Sequence, residues 1–287
     1  MAKPRAILKR ANAVRSTARI TNTMRMIATA RYKKAFDRAV AARPYTDRLG
    51  KLIDELSAAA GAFQHPLLDE RDEKKVVVLA IASNRGLCGG YNSNVSKETV
   101  RTVKRLQREG IGIDSHVAGK RLAGMLNYAG VEPDHVLTHL DDRPRFEQIN
   151  EMATPLLAAY QAGEVDGLYV VYTKFLSASR QEAVTERVLP LSRPKGEKAA
   201  SETDYIFSPD PETILSELLP RSVRLKVFQA FLDASVSEQS ARMIAMQAAT
   251  DNAHELIRTL TQQYNRSRQA LITTELSEIM GGAAALE

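Results

Sequence analysis

The chain has 287 residues, 44% hydrophobic and 26% charged, enough for a sizeable core and unlike a disordered tail. Its apolar runs, such as Val76–Ala82, fall far short of the ~20 residues of a membrane-spanning helix. A single cysteine, Cys88, excludes a disulfide scaffold and a four-cysteine zinc site and suits a reducing compartment, while the net charge of +6 hides a strong asymmetry.

That asymmetry lies in the first segment. Residues 1–36 carry ten Lys or Arg and no acid, against 30 basic and 34 acidic residues in the rest. An acidic partner, nucleic acid, anionic lipid or a targeting signal each suits such a block. Between Arg5 and Arg43 there is neither Gly nor Pro, as a continuous helix requires. Residues 1–60 are expected to form a long helix. Its apolar repeat is weak: Ile7, Ala11, Val14, Ala18 and Thr21, then Ile27, Lys34 and Val40.

The middle, residues 73–192, reads as alternating strand and helix. Lys75–Ala82 is a continuous β-branched run suited to a strand buried on both faces. Helices are expected over Ser93–Arg108, Lys120–Tyr128 and Arg145–Gln161. Further strands are expected over Ile111–Ala118 and Leu168–Phe175, with an alternating edge strand over Gln181–Leu191. The stretch around His135 reads as strand or loop. The pattern implies a small, mostly parallel α/β domain. Ser192–Pro211 is a polar connection leading to the last element.

From Arg221 to Met280 there is again no Gly or Pro, within an expected helix over residues 212–287. Sixty helical residues span ~90 Å, whereas a compact globule of this length is about 50 Å across. Such a helix has to protrude, and its apolar stripe needs a partner. Met243, Met246, Thr250, Ala253, Ile257, Leu260, Tyr264, Ser267 and Leu271 step by three and four, the seam of a left-handed coiled coil. The simplest reading pairs the two terminal helices in an antiparallel coiled coil, with the α/β domain inserted between them.

Chemistry is sparse. The turn Ser83–Gly90 follows a strand and precedes a helix, where phosphate loops sit, yet it matches neither dinucleotide-binding nor P-loop spacing and lacks the P-loop lysine. Its glycines better suit a tight turn whose backbone packs closely or is gripped by another chain. Cys88 has no histidine near it in sequence and sits among small residues, as a half-buried structural cysteine would. His135 and His139, near Asp134, Asp141 and Asp142, imitate a metal site, but in an extended segment that spacing does not converge. No catalytic motif stands out. The absence of Trp and the scarcity of Phe and Tyr also argue against a deep aromatic pocket.

Four motifs in order carry a family resemblance: Ile20–Ala28 (ITNTMRMIA), Ser83–Asn94 (SNRGLCGGYNSN), Ala241–Asn252 (ARMIAMQAATDN) and Ile272–Ala285 (ITTELSEIMGGAAA). Together they resemble the γ subunit of F-type ATP synthases across nearly the whole chain. The resemblance implies an antiparallel coiled coil of the termini with an α/β foot. It also implies the role of central rotor shaft, coupling proton-driven rotation of the membrane c-ring to ATP synthesis or hydrolysis on β subunits. The chain would then be no enzyme itself, would need no cofactor, and would hold no catalytic or metal residue.

The implied partners are the α and β subunits of an α3β3 hexamer, the ε subunit and the c-ring, with no nucleic acid. The membrane is met only through the c-ring, at the cytoplasmic face of the bacterial plasma membrane. The resemblance nominates Arg242, Gln269, Thr273 and Glu275 as contacts to β loops and Met24 as facing an acidic β segment. Ala283 and Ala284 would form a smooth bearing at the tip. Family-like helix from about Ala6 leaves no room for a removable presequence, and lone Cys88 cannot form the redox-sensing pair of some photosynthetic members. Two other readings stay distinguishable: a nucleotide-binding α/β protein with a coiled-coil dimerisation arm, and a basic nucleic-acid binder with salt-dependent affinity.

Overall fold

The computed structural model describes residues 4–60, 64–140, 143–178, 180–191 and 210–284, without the side chains of 58–60 and 282–284. Most of the polar connection after Leu191 lies outside the described residues. Elements run in the order α1 (Pro4–Ala60), β1 (Lys75–Ile81), α2 (Tyr91–Arg108), β2 (Gly112–Ala118) and α3 (Lys120–Tyr128). β3 (His135–Leu137), α4 (Phe146–Gln161), β4 (Gly167–Phe175), β5 (Gln181–Leu189) and α5 (Pro211–Ala284) follow, and a short 3-10 turn, Pro66–Leu68, precedes β1. Within the described residues the expected helices and strands are present to within one or two residues. β3 resolves the stretch left open between strand and loop.

The chain forms two compact units, one of residues 1–29 with 242–287, the other of residues 30–241. The larger holds a five-stranded sheet in the order β3-β2-β1-β4-β5. β1, β2, β3 and β4 are parallel, and β5 pairs antiparallel with β4. Every residue of β1 after Lys75 is buried, which explains its unbroken run of apolar side chains.

On one face Val76, Val78 and Ala80 pack with Val95 and Leu106 of α2 and Leu122 and Leu126 of α3. On the other, Val77, Leu79 and Ile81 pack with Ile149, Leu157 and Tyr160 of α4 and with Leu219, Val223, Val227 and Phe231 of α5. A smaller cluster joins Ala39 of α1 and Phe175 of β4 to Leu232 and Val236 of α5. Within this unit α1 and α5 run antiparallel: Ala39 packs with Leu232, while farther along Arg221 lies over the Tyr45 ring at 5.6 Å.

Both long helices run through a proline, α1 through Pro44 and α5 through Pro220. Each removes a backbone hydrogen bond and costs about 3 kcal/mol in a helix interior. Burial on either side offsets this: Ala39 and Leu49 flank Pro44, and Leu219 and Val223 flank Pro220.

The seam of α1 differs from expectation in its second half. Ile27 and Val40 are about half exposed and Lys34 is exposed. The inward positions are Ala28, Tyr32, Ala35, Ala39, Ala42, Thr46, Leu49, Ile53 and Leu56, again stepping by four and three. Small residues line this stretch because a helix neighbour packs closely against it, and larger outward side chains disguise the frame.

Candidate partner-binding surface

In the smaller unit α1 and α5 pair through Thr21 and Thr250, whose hydroxyl oxygens lie 2.8 Å apart. Counting outward along antiparallel helices from that pair brings Ala18 level with Ala253, Val14 with Ile257, Ala11 with Leu260 and Ile7 with Tyr264. All of these are buried or half-buried, so the seams legible in sequence meet layer by layer. The same count brings Pro4 level with Ser267. Beyond that point α5 has no helical partner among the described residues, and every residue from Leu271 to Gly281 is exposed.

Leu271, Ile272, Leu276, Ile279 and Met280 are each 46–72% exposed. At 100° per residue these five fall within one half of the helix circumference, with Glu275 among them. Thr273, Thr274, Ser277 and Glu278 occupy the other half. An exposed apolar half-cylinder is unstable in water and marks a surface that another protein covers. The unit is also basic, with ten Lys or Arg against four acids over residues 4–29 and 242–284. Asn12 accepts from Arg15 at 2.6 Å and Asn22 from Arg25 at 2.9 Å, holding these guanidiniums along the helix.

The residues nominated from sequence are placed as follows. Gln269, Thr273 and Glu275 are exposed and Met24 is half-buried. Thr273 donates its hydroxyl to the Gln269 carbonyl at 3.0 Å. Arg242 is only 8% exposed and is engaged within its own chain, so little of it is free to meet a partner. Ala283 and Ala284 continue the helical backbone, and their side chains lie outside the described residues.

Sequence reasoning missed the seat of α5 in the larger unit. Every residue from Phe231 to Ser240 is buried, six of them polar or charged. Ser237 donates to the Thr173 carbonyl and Ser240 to the Ala178 carbonyl, each at 3.2 Å, and the Tyr91 hydroxyl donates to the Ala234 carbonyl. Asp233 accepts from Gln229 at 3.0 Å, and burial pushes its carboxyl above the usual range. Helix α5 thus crosses the C-terminal end of the parallel strands, the crevice where open α/β sheets bind nucleotides. The lack of Gly, Pro, Lys and Arg in FLDASVSEQS, with its small serines, is the faint trace of this burial in the sequence, masked by its two acids.

The Ser83–Gly90 turn borders that filled crevice. Asn92 Oδ1 accepts from the Ser83 amide at 3.1 Å, and Asn84 bridges the Leu140 carbonyl to the Lys120 amide. Cys88 is 2% exposed beside Ser83 and Asn92. The cavity between the turn and Phe231, Ala234 and Glu238 has a volume of about 50 Å³. A small-molecule site needs roughly 300 Å³ or more, so this turn is a structural joint.

His135 does find ligand-type neighbours, though not His139. It lies beside Asp114 and His116 of β2. Burial holds His116 below the ordinary histidine value.

Residues 3–286 match the family model described as ATP synthase. The ATP synthase gamma chain of Rhodopirellula baltica is 44% identical and that of Leptospira biflexa 41% identical, each comparison spanning the full length of both chains. Among solved structures, the rotor of Euglena gracilis mitochondrial ATP synthase in rotational state 1 is 20% identical with a TM-score of 0.63. It covers 94% of this chain and 98% of its own. The same enzyme in rotational state 3 gives a TM-score of 0.68 at 21% identity, over 99% of this chain and 94% of the other.

Proposed function

The chain belongs to the ATP synthase gamma-chain family, and from that premise we propose that it is the central shaft of the rotary motor. It is a non-catalytic subunit of a membrane-associated complex, with catalytic sites on other subunits. In this reading proton-driven rotation of a c-ring turns the larger unit, and the paired helices carry the rotation to three β subunits in turn. The ε subunit and c-ring engage the α/β unit, while α and β subunits surround the helices, and the complex lies at the cytoplasmic face of a bacterial plasma membrane. No helix among the described residues is long and apolar enough to cross a membrane, so the membrane is reached through the ring.

The observation that carries the reading is the end of α5. It outruns its partner helix and bares an apolar half-cylinder that requires a surrounding collar. Gln269, Thr273 and Glu275 stand just where α5 leaves α1, and directional polar contacts there would differ with angle as the shaft turns. Ala283 and Ala284 add small side chains that offer few directional bonds at the tip. Met24, and the basic side chains near it, suit an acidic segment of β lower down. Arg242, mostly buried, offers a partner only a small part of its side chain.

The test is reconstitution of the purified chain with matching α and β subunits, followed by gel filtration and an ATPase assay. Co-elution as one complex, with sustained ATPase activity above that of α and β alone, is expected. Failure to co-elute with folded α and β contradicts the reading. The competing nucleotide-binding reading instead predicts binding by the isolated chain, which the filled crevice opposes.

A further inference from the structure

We propose that Asp114, His116 and His135 form a binding site for a nitrogen-seeking divalent cation of the zinc class at the β2–β3 edge of the sheet. Asp114 and His116 are two apart on β2, so their side chains leave the same face. His135 is the direct register partner of His116 on β3 and therefore shares that face. Three ligand groups, two from β2 and one from β3, thus converge on one face of two adjacent strands.

The spacing fits a metal. Asp114 Oδ1 lies 3.1 Å from Nε2 of His116 and 3.7 Å from Nε2 of His135, and all three ligand atoms fall within 4.8 Å of one another. A tetrahedral zinc with bonds of 2.0–2.1 Å separates its ligands by about 3.3 Å. Two imidazoles and a carboxylate leave a fourth position for water. This donor set favours zinc and its transition-metal neighbours over calcium or magnesium, which demand more oxygen ligands.

The carboxylate supplies a second, independent observation. Asp114 Oδ1 is closed off from solvent and accepts no well-formed hydrogen bond, despite the nearby histidine nitrogens. A buried anionic oxygen whose nearest donor is poorly aligned is under-satisfied, and a cation between the three groups would satisfy it. The strands are held ready behind the cluster. Asp134 Oδ2 accepts from the Ser115 amide at 2.8 Å and from its hydroxyl at 2.7 Å, while the Asp134 amide donates back to Ser115 Oγ. β3 has only three residues, so a metal bridging β2 and β3 would pin the sheet edge.

Calorimetric titration of the tag-free, full-length chain with zinc chloride near neutral pH tests the site. One zinc per chain is expected, with affinity reduced at least about tenfold in His135→Ala and Asp114→Asn. His139→Ala, which alters a histidine outside the cluster, leaves affinity unchanged. His135 is more than half exposed, so its variant folds even if a change at half-buried His116 does not. Zinc also slows amide exchange in β3 of the parent chain but not of His135→Ala. Absence of one-to-one binding by the parent chain, or full affinity in His135→Ala, overturns the proposal.

Discussion

Gly119 illustrates how single positions shape the larger unit. Its φ is +130°, and a Cβ there would sit 2.7 Å from the Ala82 carbonyl oxygen. Both the left-handed backbone and the close approach to the end of β1 demand glycine. Gly119→Ala is expected to lower unfolding free energy by about 2–4 kcal/mol, from strain and clash together. Urea denaturation checks it, and an unchanged midpoint would show that the backbone yields freely. On the exposed end of α5, Gln269→Ala and Glu275→Ala should leave the isolated chain as stable as before, since neither side chain is buried. In a reconstituted complex each should lower ATPase rate about tenfold, the effect of one lost charge-assisted contact of roughly 1.4 kcal/mol. Unaltered rates would remove these residues from the partner contact. Single positions were unevenly legible in sequence. His135 stands out as a ligand type, but its neighbours Asp114 and His116 come from a paired strand, and register is not written in local spacing.

Among the elements, the helices and central strands follow directly from the placement of glycine, proline and β-branched residues. The C-terminal seam from Met246 to Leu260 is readable because its apolar and small residues hold a strict three-four alternation. The second half of α1 is not, because alanines line its seam while Ile27 and Val40 face outward. Burial of Phe231–Ser240 on all sides was hidden too, since serines and acids in a helix ordinarily mark a solvated face. Asp233 in that stretch sets a pH test. Burial raises its folded pKa, so between the ordinary carboxylate value and the raised one the folded chain keeps a proton that the unfolded chain releases. Its contribution to stability therefore falls as pH rises through that window and stays lower above it. Asp233→Asn keeps an oxygen to accept from Gln229, removes this slope and should raise the melting temperature at neutral pH. Melting curves across the acidic range check it. An identical pH profile in parent and variant would contradict the argument.

For the molecule as a whole, the informative features are those that the chain cannot satisfy alone. The α/β unit is closed around its own core, the crevice at its strand ends filled by α5, whereas α5 ends in an exposed apolar half-cylinder and α1 carries six basic residues and no acid over residues 4–29. Fold and family were legible because four motifs span the chain in order. The contacts that would produce torque were not, because their geometry belongs to partners absent from this sequence. The most direct measurement is single-molecule rotation. Matching α3β3 hexamers are fixed to a surface, a bead is attached through a cysteine introduced at exposed Tyr128 of the α/β unit, and ATP is added. Continuous rotation in one direction, with three evenly spaced dwells per turn at limiting ATP, is the result expected of a shaft driven by three β subunits. ATP hydrolysis by the assembled complex with a stationary or randomly reversing bead would contradict it.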